Sequence, residues 1–411
     1  MQAPTSTGES AIASPAASAA VSRLDVTDFR NHARARLRID GRLIVLSGPN
    51  GAGKTNLLEA LSMLAPGRGL RRAAFGDMAR HGGSGGWALA ARVDGLQGPV
   101  RIGMDWRPGG VGGGGGKGGN GNGAGGEGGA RRLFIDGKAA RASGQLGEHL
   151  RMGWLTPAMD RLFSGPESER RRFLDRLTAA LDPGHAARAA AMEKLLRQRN
   201  RLLEDFSANA AWLDAVEAQL AECFTAMAAA RMATMEALRE GMEKLVRKRS
   251  GPFPFARLRL QGWVEDRLAE SPAVTVEDEA RATLARERPR DAAAGRTLTG
   301  AHRSALEVFH GPRDMPARLC STGEQKALLI AIVLAHARAV KQAAGGMAPL
   351  LLLDEVAAHL DEARRGGLFE ALEDLGAQVW MTGTDEALFG LLRGRAVFLR
   401  VEDGEVTQAR E

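Results

Sequence analysis

Apolar residues recur with period two near the start of this chain and with helical spacing through its middle. Residues 23–27 alternate as a strand does. Residues 34–39 alternate as well and put Arg34, Arg36 and Arg38 on one face. Residues 43–46 are apolar without alternation, which predicts a strand buried on both faces, and residues 56–61 then show a helix's apolar stripe. Residues 87–93 and 100–106 predict a strand pair. Asp182-Pro183, an N-cap with proline at N1, opens a different texture. Residues 184–206 and 210–249 contain no proline and predict two long antiparallel helices, the second stopped at Ser250-Gly251-Pro252. A strand at 255–260 and a charged helix over 276–294 follow. Helices over 321–341 and 362–375 then alternate with strands at 349–353, 378–381 and 396–401. The whole predicts an α/β fold with a helical lobe inserted into it.

The segment Gly48-Pro49-Asn50-Gly51-Ala52-Gly53-Lys54-Thr55 sits between the first apolar strand and its helix. It matches G-x-x-x-x-G-K-[ST] in the strand–loop–helix context that this motif needs. Glycines let successive N–H groups turn inward as an anion nest, and the helix N-terminus adds its positive end. Lys54 would reach the β- and γ-phosphates of a nucleoside triphosphate, and Thr55 would ligate Mg²⁺. A glycine-rich turn that binds nothing is the bland alternative. The strand at 349–353 ends in Asp354-Glu355, the acidic partner of such a loop: Asp354 for Mg²⁺, Glu355 to polarise the attacking water. Lys54 and Asp354 stand 300 positions apart, far more than one compact nucleotide-binding domain needs. Between them, Cys320-Ser321-Thr322-Gly323-Glu324-Gln325-Lys326 heads a helix. It reads either as a capping box or as an ABC-type signature whose Ser321, Gly323 and helix N-terminus meet a γ-phosphate. Ala358-His359-Leu360-Asp361 occupies the D-loop position of such folds.

Composition narrows the setting. The 411 residues carry 56 Lys+Arg against 49 Asp+Glu, a formal charge of +7 that suits a polyanionic partner but equally a solvated basic surface. Four arginine-rich clusters could meet phosphates: Arg34/Arg36/Arg38, Arg170/Arg171/Arg172, Arg247/Lys248/Arg249 and Arg286/Arg288/Arg290. Each reads also as a solvated face. With no tyrosine and 5% aromatic residues, base stacking is not expected to dominate. Cys223 and Cys320 stand far apart without a C-x-x-C, so neither a disulfide framework nor a zinc site is expected, and the setting is a reduced cytoplasm. No apolar run approaches a membrane span. Residues 1–21 read as a disordered tail, and 109–129 as a flexible glycine-rich insertion.

Several linked segments together resemble the RecF family of bacterial recombination mediators, relatives of the SMC and Rad50 ATPases. The resemblance runs from about Arg23 to the C-terminus. It rests on Asp28-Phe29-Arg30-Asn31, on Ser47 through Leu61, on Pro66-Gly67-Arg68-Gly69-Leu70-Arg71 and on Arg170-Arg171-Arg172-Phe173-Leu174-Asp175. Arg199-Asn200-Arg201-Leu202-Leu203, Thr299-Gly300-Ala301-His302-Arg303 and the Ser321–Lys326 signature complete it. It implies an ABC-type P-loop ATPase head with a short helix pair inserted, divided as a tail at 1–21, ATPase lobe I at 22–150 and 346–411, and helical lobe II at 151–345. ATP and Mg²⁺ are the implied cofactors, held also by Asn56, Arg30, Asn31 and, from a second subunit, Ser321, Gly323 and Asp361. The implied activity is slow, DNA-stimulated ATP hydrolysis that switches an ATP-dependent homodimer on and off DNA, in cytoplasmic repair of single-strand gaps and stalled forks. Gapped DNA and its single-strand/double-strand junctions, RecR, and RecO and RecA downstream on SSB-coated strands are the implied partners. Three positions depart from the family pattern: Ala301 stands for proline, Pro157-Ala158-Met159-Asp160 replaces P-E-D without a Q-loop glutamine, and Thr384 lies where transporter ATPases carry a switch histidine. An SMC- or Rad50-like DNA organiser is the alternative, but the helix pair is too short for its coiled coil and no zinc hook is present. The missing switch histidine speaks against a transporter subunit, and the intact motifs against a vestigial scaffold.

Overall fold

Strands without polar alternation belong inside a parallel sheet, and four of them meet here. The computed structural model describes residues 18–109, 129–205, 209–247 and 252–408. Most of the 1–21 tail, the glycine-rich 110–128 segment and the Lys248/Arg249 pair with its stop signal therefore lie outside the described residues. In chain order the first elements are β1 (Ala20–Phe29), β2 (His32–Arg38), β3 (Leu43–Ser47), α1 (Lys54–Ser62), β4 (Trp87–Gly95), β5 (Gly98–Pro108), β6 (Gly129–Ile135), β7 (Lys138–Ala139), α2 (Leu146–His149) and β8 (Met152–Leu155). The middle holds α3 (Glu167–Leu181), α4 (His185–Glu204), α5 (Ala210–Arg247), β9 (Ala256–Gln261), α6 (Trp263–Glu270), α7 (Ala273–Arg286), α8 (Arg288–Ala293), β10 (Ala305–His310) and β11 (Met315–Pro316). The chain closes with α9 (Thr322–Ala343), β12 (Leu350–Leu353), α10 (Glu362–Leu375), β13 (Val379–Gly383), β14 (Val397–Glu402) and β15 (Glu405–Gln408).

The central sheet has the order β15-β14-β3-β13-β12-β8, parallel except for the β14–β15 hairpin. Every residue of β3, β8, β12 and β13 is buried. Side chains of a strand alternate between faces, so each strand feeds two cores. Leu43, Val45, Leu351, Leu353, Val379 and Met381 pack with α3, α9 and α10. Ile44, Leu46, Leu350, Leu352 and Trp380 pack with α1 and the antiparallel sheet β2-β1-β4-β5-β6-β7. A third, separate core is centred on α4, α5 and α7.

Some expectations need correction. The helix expected over 276–294 is two helices, because Pro289 sits in the first turn of α8 and cannot continue α7. The helix α6 and the hairpin strand β15 were not legible. The sheet also takes β8 from beyond the boundary expected at residue 150, since Leu350–Leu353 pairs in register with Met152–Leu155.

Candidate functional site

The phosphate loop joins the C-terminal end of β3 to α1. Gly48 has φ 145° and a Cβ there would lie 2.1 Å from the Val401 carbonyl oxygen. Gly53 has φ 114° and its Cβ would strike Asn31 and His32, so neither position admits a side chain. Lys54 is buried, its Nζ donating to the Gly48 and Pro49 carbonyls at 2.7 and 2.8 Å. Burial pushes its ammonium below the ordinary lysine range, while Glu355 and Asp354 pull it back up.

The loop is braced from two turns. Asn31 donates to the Ala52 carbonyl at 2.9 Å and accepts from Asn56 Nδ2 at 2.7 Å. The buried His32 ring lies between the carbonyls of Gly53 and Gly404, at 3.1 and 2.6 Å, and the Gly404 N–H donates to Ala52. Arg30 is bidentate on the fully buried Glu59 of α1, at 2.7 and 2.8 Å, and also donates to the Asp77 carbonyl. Arg71 donates to both Asn56 and Glu59. Arg30 and Asn31 thus stand at the loop's base, where the arginine fixes α1 from behind.

Strand order brings the acidic end to the loop. β13 lies between β3 and β12, and all three are parallel. Thr55 Oγ1 donates to Asp354 Oδ1 at 2.8 Å. Two oxygens this close, one hydroxyl and one carboxylate, fit a hard cation, so Thr55 and Asp354 would hold Mg²⁺, which would neutralise phosphate charge there. Among the described residues no group of three or more His, Cys, Asp or Glu is placed to hold a metal ion by itself. Thr382, on β13, was missed. It donates to the same Asp354 Oδ1 at 2.7 Å and accepts from the Glu355 N–H at 2.9 Å. Thr384, two residues on, is exposed beyond the strand end. The one available signal was a polar residue inside an otherwise apolar strand.

The signature residues stand elsewhere. Ser321 caps α9 with a full capping box, its hydroxyl and N–H both bonded to Glu324. Ser321 is exposed, Gly323 has open space above it, and Asp361 caps α10 by accepting from the Arg364 N–H at 2.8 Å. Among the described residues no hydrogen bond links Ser321, Gly323 or Asp361 to residues 48–55.

Of the basic clusters, Arg170 and Arg171 are not a free surface. They donate to the carbonyls of Gly165, Leu306 and Ser304, which fastens α3 to the turn before it and to the start of β10. Arg288 is held by Glu217 and Asp214, and Arg290 by Glu287. Arg34, Arg36 and Arg38 do point outward from edge strand β2, with Arg36 paired to Asp25.

No protein-family model matches the chain. It is 52% identical over 386 residues to the DNA replication and repair protein RecF of Mesorhizobium japonicum, covering 94% of this chain and 97% of that protein. The solved recombination mediator RecF–ATPrS of the RecFOR pathway superposes with a TM-score of 0.78 at 20% identity, over 96% of this chain and 99% of that one. An SMC head bound to the C-winged helix domain of ScpA superposes at 0.51 and 14% identity, over 95% and 97%. The fold is an ABC-type ATPase head, and the chain belongs to the RecF family of DNA replication and repair proteins.

Proposed function

We propose that this protein binds Mg-ATP at Gly48–Thr55 and Asp354, dimerises around two nucleotides, and in that state binds DNA in the repair of single-strand gaps. The observation that carries this is the meeting of Thr55 and Asp354 at 2.8 Å behind an intact phosphate loop, with Glu355 as the next residue. Bound Mg²⁺ would neutralise charge on the β- and γ-phosphates. Lys54 moves from its two loop carbonyls onto those phosphates, and Glu355 orients the attacking water. Asn31 and Asn56 hold the loop's shape, and Arg30 holds α1 beneath it.

Ser321 is exposed and, among the described residues, makes no hydrogen bond to its own loop, which suits contact with the γ-phosphate of a second subunit, with Gly323 and Asp361 contributing. Two such contacts related by a two-fold axis close a dimer. Hydrolysis removes the bridging phosphate and releases the clamp. DNA contact falls to exposed arginines such as Arg34 and Arg38, so it is sensitive to salt and largely blind to sequence. RecR is the expected docking partner, and loading of RecA on SSB-coated strands with RecO the expected outcome.

The test is the mass of the Glu355→Gln protein by light scattering, with and without Mg-ATP, then with gapped DNA added. A monomer-to-dimer shift on ATP, with tighter DNA binding, supports the reading. A monomer in saturating ATP would sink it.

A further inference from the structure

The turn after β12 is strained. Glu355 and His359 have φ of 49° and 63°, left-handed backbone that a residue with a Cβ adopts only where its surroundings over-determine it. Two side chains restrain it: Thr382 accepts from the Glu355 N–H, and Lys326 holds carbonyls of the turn itself. Lys326, in the second turn of α9, donates from Nζ to the Glu355 carbonyl at 3.3 Å and to the Ala358 carbonyl at 2.9 Å. These carbonyls belong to the first strained residue and to the one preceding the second. The nearby carboxylate is Asp160, 3.9 Å away in the turn after β8. Burial pushes the Lys326 ammonium down, with Asp160 and Glu355 opposing, and burial also raises the Asp160 carboxyl.

Lys326 therefore touches three segments at once. It rides on the helix that Ser321 caps, about 7.5 Å along the axis from that cap. It holds the backbone of Glu355. It faces the turn at 157–161, where the family pattern is altered. A five-residue step along a helix rotates a side chain by roughly 140°, so Ser321 looks out of the subunit while Lys326 looks into it.

We propose that Lys326 is a positioning residue that transmits the phosphate contact made at the head of α9 to Glu355 of the same chain. This rests on the shared-site reading above and deepens it. In a closed dimer Ser321 meets the partner's nucleotide, whereas Glu355 serves its own. A shift of α9 when it engages phosphate is carried, through one ammonium fixed to two carbonyls, to a turn held in a strained state. Each site is thereby switched by occupancy of the other, a coupling between two sites through one discrete element.

The experiment compares full-length wild type, Lys326→Gln, Lys326→Arg and Ser321→Arg. The readouts are melting temperature, binding of a fluorescent ATP analogue, ATP-dependent mass, and ATPase rate against ATP concentration. Lys326→Gln is expected to keep nucleotide affinity within about threefold and still dimerise, while kcat falls about tenfold. The Hill coefficient, above one in wild type, should fall to one, and Lys326→Arg should recover most of both. Wild-type rate and cooperativity in Lys326→Gln would overturn the proposal. So would loss of dimerisation as complete as in Ser321→Arg, because the lysine would then belong to the intersubunit contact itself. Early melting with lost nucleotide binding in both Lys326 variants would reduce it to a staple of the fold and overturn it too. If wild type does not associate on ATP, the shared-site reading fails first, which the wild-type arm alone reveals.

Discussion

Thr382 ties the two halves of the nucleotide site together with one hydroxyl. It gives its proton to Asp354 and takes one from the Glu355 N–H, so both acidic residues are oriented by the neighbouring strand. Thr382→Val keeps the shape and removes both bonds. An unpaired buried group costs about 1–3 kcal/mol, so kcat for ATP should fall roughly ten- to hundredfold while nucleotide affinity, set by the loop, moves little. Steady-state ATPase beside a nucleotide titration checks this, and an unchanged kcat would remove Thr382 from the site. The residues of the phosphate loop and the Asp354-Glu355 pair were legible because each is a short run read along the chain. Thr382 and His32 were not. Their importance comes from strand order, which puts β13 between β3 and β12 and folds the β1–β2 turn under the loop, and nothing local in sequence states that order.

Elements were legible where periodicity was long. The helix pair emerged as α4 and α5, and the apolar strands as the buried sheet, since burial on both faces leaves no polar alternation. Arginine clusters, legible as phosphate contacts or solvated faces, divide in the structure: Arg34, Arg36 and Arg38 face outward, whereas Arg170, Arg171 and Arg288 are bonded internally, because charge along the chain says nothing of where the partner lies. Arg199 is fully buried and bonds Glu217, Asp291, Thr297 and the Leu284 carbonyl, while Arg231 clasps Asp175. These fasten α4 and α5 to the elements around them. The joint between α3 and α9 uses a histidine instead: buried His336 donates from Nε2 to the Leu177 carbonyl at 2.9 Å. Burial first, with Arg176 adding, depresses it from the ordinary 6.5 to about 4. The unfolded chain then takes up a proton below 6.5 that the folded chain refuses until about 4. This contribution to stability is present above pH 6.5 and is lost as pH falls through 4. Urea unfolding of wild type and His336→Gln across that window should differ in slope by up to about 1.4 kcal/mol per pH unit, the variant being flatter. Equal slopes would mean that the imidazole is already charged in the fold.

At the scale of the molecule the two parts of the proposed site are carried by separate elements of one chain, the β3–α1 loop and the head of α9. The phosphate loop and Asp354 lie at the C-terminal ends of the central strands, while exposed Ser321 heads a helix whose first turn is tied to Arg313 and Ser164. On the reading proposed above a second copy completes the site, and two identical contacts close on themselves without leading to a filament. Ser321→Arg separates binding from association. The substitution places a bulky cation at an exposed cap and leaves Lys54, Thr55 and Asp354 as they are. Loss of the cap would weaken α9 by about 1 kcal/mol, too little to unfold a core that buries the next four turns of that helix. The monomer should therefore bind ATP with wild-type affinity, yet stay monomeric at any ATP concentration and hydrolyse ATP at no more than about a hundredth of the wild-type rate. Titration of a fluorescent ATP analogue beside light scattering reads both quantities. If nucleotide binding by the monomer disappears with the dimer, Ser321 acts on its own nucleotide, and the two-fold arrangement is wrong.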